Sequence, residues 1–150
     1  MVMENMEDAL RLMRSTRGYE KVAIDLAQLW SEDKIRFNPE LPDRAHIELW
    51  GAITIGPEAA NARPLSLAQT LVHEHHHLRQ HPLQKTASFW SGVASRTNPM
   101  RAYEKPAYQA ALDFLDAVEQ QHPNLALEAR MEMVQVSDAF ETGYNETITT

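Results

Sequence analysis

The chain contains no cysteine. That absence excludes disulfides, thiolate-held zinc, iron–sulfur clusters and thiol nucleophiles, so any metal must be held by histidine and carboxylate. Long apolar runs are missing too. None approaches the ~18 residues needed to span a bilayer, and no membrane partner is expected. Cations are in the minority, 14 Lys and Arg against 21 Asp and Glu, for a net charge of −7. A phosphate backbone recruits basic surface, so no nucleic-acid partner is expected either. The acidic stretch Met1 to Asp8 has no basic region followed by an apolar one, which makes the cytoplasm the default compartment. No repeat, low-complexity block or linker divides the sequence. The expectation is a single domain over residues 1–150, with 143–150 a mobile polar tail.

What is present reads as a mostly helical α+β domain. Met3, Met6, Leu10 and Met13 recur at helical spacing over residues 3–14, and such a methionine stripe is core or partner packing. After the break at Thr16-Arg17-Gly18, residues 22–30 read as a second helix that Thr16 can cap, although Val22 to Leu26 also alternates like a strand. Lys34 to Phe37 reads as a short strand and His46 to Ile55 as a longer one, with Gly51 marking a bulge or a close backbone approach. A helix is expected to enter near Pro64 or Ser66, to turn Leu67, Leu71 and Leu78 inward, and to close at His81-Pro82. Residues 82–98 carry little pattern beyond Phe89 and Trp90. A helix from Met100 to Gln120 should kink or restart at Pro106. A last helix from Leu125 to Phe140 is expected to face Leu127, Met131, Val134 and Phe140 inward.

The chemistry concentrates in Val72-His73-Glu74-His75-His76-His77-Leu78, where His73, Glu74 and His77 spell H-E-x-x-H. Residues four apart on a helix share a face, so both imidazoles can aim at one ion. Glu74 then stands beside the first ligand as a general base, the arrangement of a zinc hydrolase. A catalytic zinc site takes three protein ligands, and Glu104, set among Tyr103, Ala107 and Tyr108, is the preferred third. Asp113, Asp116, Glu119 and Glu128 lie farther along. His81 continues the row of His73 and His77 and stays open as an alternative, although one straight helix cannot easily wrap three ligands round an ion. His75 and His76 point away from His73, as exposed or supporting residues. Tyr108 reads more readily as a packed helix residue than as a catalytic one.

Taken together, residues 46 to 115 resemble a small zincin of the gluzincin type, the thermolysin-like metallopeptidases with two histidines and one glutamate on zinc. The strand around Gly51 to Gly56, the His73-Glu74-x-x-His77 helix and the Glu104 helix follow that family's order. The nearest likeness is to short single-domain metallopeptidases of bacteria and phages. The resemblance implies Zn2+ held by His73, His77 and Glu104, with Glu74 as general base and a peptide or protein as substrate. It implies an oxyanion stabiliser as well, Tyr108 or Tyr103. The chain departs from the pattern at His75, His76 and Arg79, and at Pro106 just after the glutamate. Two alternatives are a zincin-fold regulatory or toxin-type protein that cleaves one partner or nothing, and a helical interaction domain docking through its Met-rich first helix.

Overall fold

A computed structural model describes residues 2–41, 45–47, 51–80 and 101–144. The chain is α+β and mostly helical. In order it forms α1 (Val2–Arg14), α2 (Glu20–Ser31), β1 (Ile35–Phe37), β2 (Ala45–Ile47), β3 (Ile53–Ile55), α3 (Pro57–Ala60) and α4 (Pro64–Arg79). There follow α5 (Arg101–Gln121), a 3-10 turn (Pro123–Leu125) and α6 (Ala126–Tyr144). No helix among the described residues is long and apolar enough to cross a membrane.

The first two helices form where the apolar spacing predicts. α1 buries Met6, Ala9, Leu10 and Met13. α2 buries Ala23 and Leu26 while Ile24 is 61% exposed, and only a helical period separates those positions that way. An alternating strand would have hidden Ile24 together with Leu26. Thr16 does not cap α2, contrary to the sequence reading. Its hydroxyl donates to the Leu12 carbonyl at 2.7 Å and lies 3.1 Å from Nε2 of His122, so it is engaged in the core instead. The N-cap position falls at Tyr19, and the Gly18 N–H donates to the Glu20 carboxylate at 2.7 Å.

The single strand expected over 46–55 is two strands. β2 runs antiparallel to β3, pairing Ala45 with Ile55 and Ile47 with Ile53, so the chain reverses between them. Gly51 has φ +85°, a left-handed conformation that glycine adopts without a Cβ penalty, and it serves this reversal, not a bulge within one strand. β1 joins β3 in parallel on its other side, giving a three-stranded sheet in the order β1-β3-β2. The central strand is buried along its length, and β2, at the edge, packs against α4. The short α3, where the sequence promised only the end of a strand, buries Ala59 and Ala60.

Pro106 neither ends nor restarts α5, which runs through it for 21 residues. Proline removes one backbone donor. Ala107, Ala111, Leu112, Phe114, Leu115 and Val118, all buried just beyond it, hold the helix by packing. Of the four α6 residues expected inward, Phe140 is buried but Leu127, Met131 and Val134 are not. Leu127, Met131 and Val134 are 73%, 58% and 60% exposed, whereas Ala129, Val136 and Phe140 are buried. The helix carries two apolar stripes of similar spacing, and its extensive packing against α5 selects the one that meets it. Phe140→Ala is therefore expected to cost about 3–5 kcal/mol of unfolding free energy, and Leu127→Ala within about 0.5 kcal/mol. Urea titrations of the two variants would check this. Equal losses would mean the helix faces the other way.

The buried side chains of α1, α2, the sheet, α3, α4, α5 and α6 make one continuous core. α4 runs through it, in contact with α1, α2, α3, α5, α6 and β2. Gly143 and Tyr144, expected as the start of a tail, belong to α6. Asp43 and Glu48, which the sequence leaves solvated, His46, expected on a strand surface, Trp50, Phe89 and Trp90, expected as core or cleft wall, His81 and residues 145–150 have side chains outside the described residues.

Candidate metal centre

α4 starts with Pro64 at its first turn, where a missing N–H costs nothing, after Arg63 in extended conformation. Its first half is buried by apolar residues, Leu65, Leu67, Ala68, Leu71 and Val72 among them. The second half is less uniformly buried but hides ionisable side chains: Glu74, His75 and His77 are 6%, 6% and 7% exposed. Burying such groups is unfavourable unless each is bonded or neutralised, so their partners define what this end of the helix is for.

His77 and His73, one turn apart, bring their Nε2 atoms to 3.2 Å from each other. Oε1 of Glu104, from the first turns of α5, approaches Nε2 of His77 at 2.6 Å and Nε2 of His73 at 3.3 Å. Among the described residues this is the one group of three side chains able to hold a metal ion. Donor atoms on a tetrahedral zinc with bonds of ~2.0–2.1 Å stand about 3.3 Å apart. Two edges of the triangle already have that length. The third, the 2.6 Å contact of His77 with Glu104, would have to open by about 0.7 Å to admit an ion. The donor set, two imidazole nitrogens and a carboxylate oxygen, suits zinc. None of the other acids, Asp113, Asp116, Glu119 and Glu128, belongs to this group, and three of them have partners elsewhere. Asp113 accepts from Gln109, Glu119 pairs with Arg130, and Glu128 pairs with Arg63.

The protons on His77 follow from its neighbours. Gln80 donates through Nε2 to the Tyr103 carbonyl at 3.2 Å, which fixes its amide orientation and leaves Oε1 facing Nδ1 of His77 at 2.6 Å. Nδ1 of His77 therefore carries a hydrogen. Its Nε2 faces a carboxylate, so in the metal-free protein that nitrogen carries one as well. Burial pushes the His77 pKa down, but the bond to Glu104, its charge, the bond to Gln80 and the charge of Glu74 outweigh this and raise it. Burial likewise pushes the Glu104 carboxyl up, and the hydrogen bonds and charges of His73 and His77 bring it to about 2.

Aromatic rings flank the pair. Tyr103 stacks on His77 with centroids 4.5 Å apart and 16° between planes. Tyr108 meets His73 edge-on at 4.7 Å and then Phe140 at 5.2 Å. The Tyr103 hydroxyl is pushed up by burial and by the charges of Glu104 and Glu74. Both Tyr103 and His77 thus feel the Glu74 carboxylate.

Sequence reasoning brought together His73, His77 and Glu104. It missed Gln80 and Asp25, because neither belongs to a motif and each acquires its role only across a tertiary contact. His75 is buried and points away from the ligands, where Nε2 lies 3.0 Å from Oδ2 of Asp25 on α2. His76 is only partly buried, and its pKa is lowered by burial and then by the surrounding His77, His73, His75 and Arg79. Asp25→Ala is expected to cost about 1 kcal/mol, the lower end for a charged partner because the carboxylate is 40% exposed, and to leave metal content unchanged. Thermal unfolding together with metal analysis checks both halves.

Comparison with known proteins finds no family model that matches the chain, no matching curated protein and no matching solved structure.

Proposed function

We propose that this chain is a zincin-like, zinc-dependent peptidase, with His73, His77 and Glu104 as the metal ligands and Glu74 as the general base. The observation that carries the reading is the convergence of Nε2 of His73, Nε2 of His77 and Oε1 of Glu104 at separations of 3.2, 2.6 and 3.3 Å. Three protein ligands, in place of four, are what a catalytic zinc site uses. A structural site also has no use for Glu74, a buried carboxylate on the same turn as His73 whose charge is felt by His77 and Tyr103.

Zinc held there would polarise a scissile carbonyl and acidify a water. Glu74 takes the proton of the attacking water and passes it to the leaving amine. His73 and His77, confined by Tyr108 and Tyr103, would hold the ion through Nε2. Glu104 supplies negative charge that lowers the net charge of the centre. The substrate class that fits is a peptide or a protein.

Metal analysis of the purified protein, followed by incubation with a mixed peptide library, tests the proposal. About one zinc per chain is expected, with cleavage that stops on chelation and returns on adding zinc. Protein that takes up no zinc sinks the reading. Zinc without cleavage of any peptide would favour a regulatory metal protein instead.

A further inference from the structure

Gln80 sits at the C-cap of α4, already out of helical conformation with φ −79° and ψ 137°. Its backbone N–H still donates to the His77 carbonyl at 3.1 Å. Its side chain folds back across the helix end. Oε1 accepts from Nδ1 of His77 at 2.6 Å, and Nε2 donates to the Tyr103 carbonyl at 3.2 Å, on the helix that carries Glu104. One amide therefore touches the second histidine and the backbone next to the glutamate.

We infer that Gln80 is a positioning residue for the metal centre. It locks His77 in the tautomer that points the Nε2 lone pair at the ion, and it ties that ring to the start of α5. This inference rests on the zinc-site reading above. The chemistry requires such a group. An imidazole binds metal through one nitrogen only if the other holds the proton, and an acceptor on that other nitrogen both selects the tautomer and fixes the ring's rotation. Tyr103 stacked on the ring limits tilt but cannot choose between the two nitrogens. Gln80 can, because its own Nε2 is committed to the Tyr103 carbonyl and only an acceptor is left for His77. The bond to Tyr103 adds a second function. Glu104 follows Tyr103 directly, so the same amide sets the spacing between the ligand on α4 and the ligand on α5.

The test uses the full chain and zinc alone. Wild type, Gln80→Leu and Gln80→Glu are compared by chelator competition for zinc, by melting temperature without metal, and by the 15N spectrum of the histidine rings. Gln80→Leu is expected to weaken zinc binding by ~10–100-fold, the usual loss when an outer-shell partner of a ligand is removed. Gln80→Glu keeps the acceptor for Nδ1 of His77 but loses the donor to the Tyr103 carbonyl, so its affinity should fall between wild type and Gln80→Leu. In wild type the His77 signal should show a protonated Nδ1 with and without zinc, and Gln80→Leu should lose that signature. Zinc affinity that is unchanged in Gln80→Leu overturns the inference. So does an equal loss in both variants that tracks an equal fall in melting temperature, since that is packing alone. Wild type that takes up no zinc refutes the metal-site reading, and this one with it, before any variant is compared. Wild type that binds zinc but shows Nδ1 of His77 unprotonated refutes this inference alone.

Discussion

Glu74→Gln should keep its zinc and its fold while kcat/KM falls by ~10²–10⁴-fold, the range that a positioned general base contributes. Glutamine has the size and shape of glutamate but cannot accept a proton from water. Glu74 is buried on α4 between His73 and His75, so a change of volume there would disturb the helix. An isosteric change removes the chemistry alone. Because Glu74 is not among the side chains of the metal group, zinc content should stay at the wild-type level. The informative measurement is a pair: bound zinc, and cleavage rate on whichever peptide the wild type cuts fastest. Activity that persists in Glu74→Gln would remove the residue from the mechanism even with zinc in place.

Glu104→Ala should lose zinc. In the proposed site the carboxylate would supply one of three ligand atoms and the only negative charge among them, and its Oε1 contacts both histidine nitrogens. Affinity should fall by more than the ~10–100-fold that accompanies loss of an outer-shell partner. His81→Ala, changed at the other candidate ligand, should keep zinc at the wild-type level. The two variants together decide the third ligand by titration against a chelator, and the opposite pattern would hand the role to His81. A fold effect can be separated from a ligand effect, because α5 is held by the buried Ala107, Ala111, Phe114, Leu115 and Val118 beyond Glu104. Glu104→Ala should therefore still unfold cooperatively, without metal.

The sequence by itself determined the parts of this protein that depend on local spacing. A cysteine-free chain can hold metal only through histidine and carboxylate, and His73 and His77 four residues apart on a helix must share a face whatever surrounds them. The stripe of Met6, Leu10 and Met13 fixed the buried side of α1 for the same reason, since in-helix geometry is set by the backbone. Glu104 was legible at one remove, as a carboxylate in a small-residue and aromatic setting, but its contact with both histidines is a tertiary fact.

Tertiary structure alone decided the rest. α6 offers two apolar stripes, and only packing against α5 chose Ala129, Val136 and Phe140 over Leu127, Met131 and Val134. The run from His46 to Ile55 alternates like one strand, but a left-handed glycine and pairing of Ile47 with Ile53 fold it into two. Pro106 carries a strong local signal to break a helix, and burial of the turns beyond it overrides that signal. Gln80 and Asp25 have no signature in sequence, because a single amide or carboxylate becomes a partner only when another helix brings it a histidine or a carbonyl. Spacing along one helix can nominate two ligands. The third candidate, Glu104, comes from α5 and meets the two histidines only when the core closes.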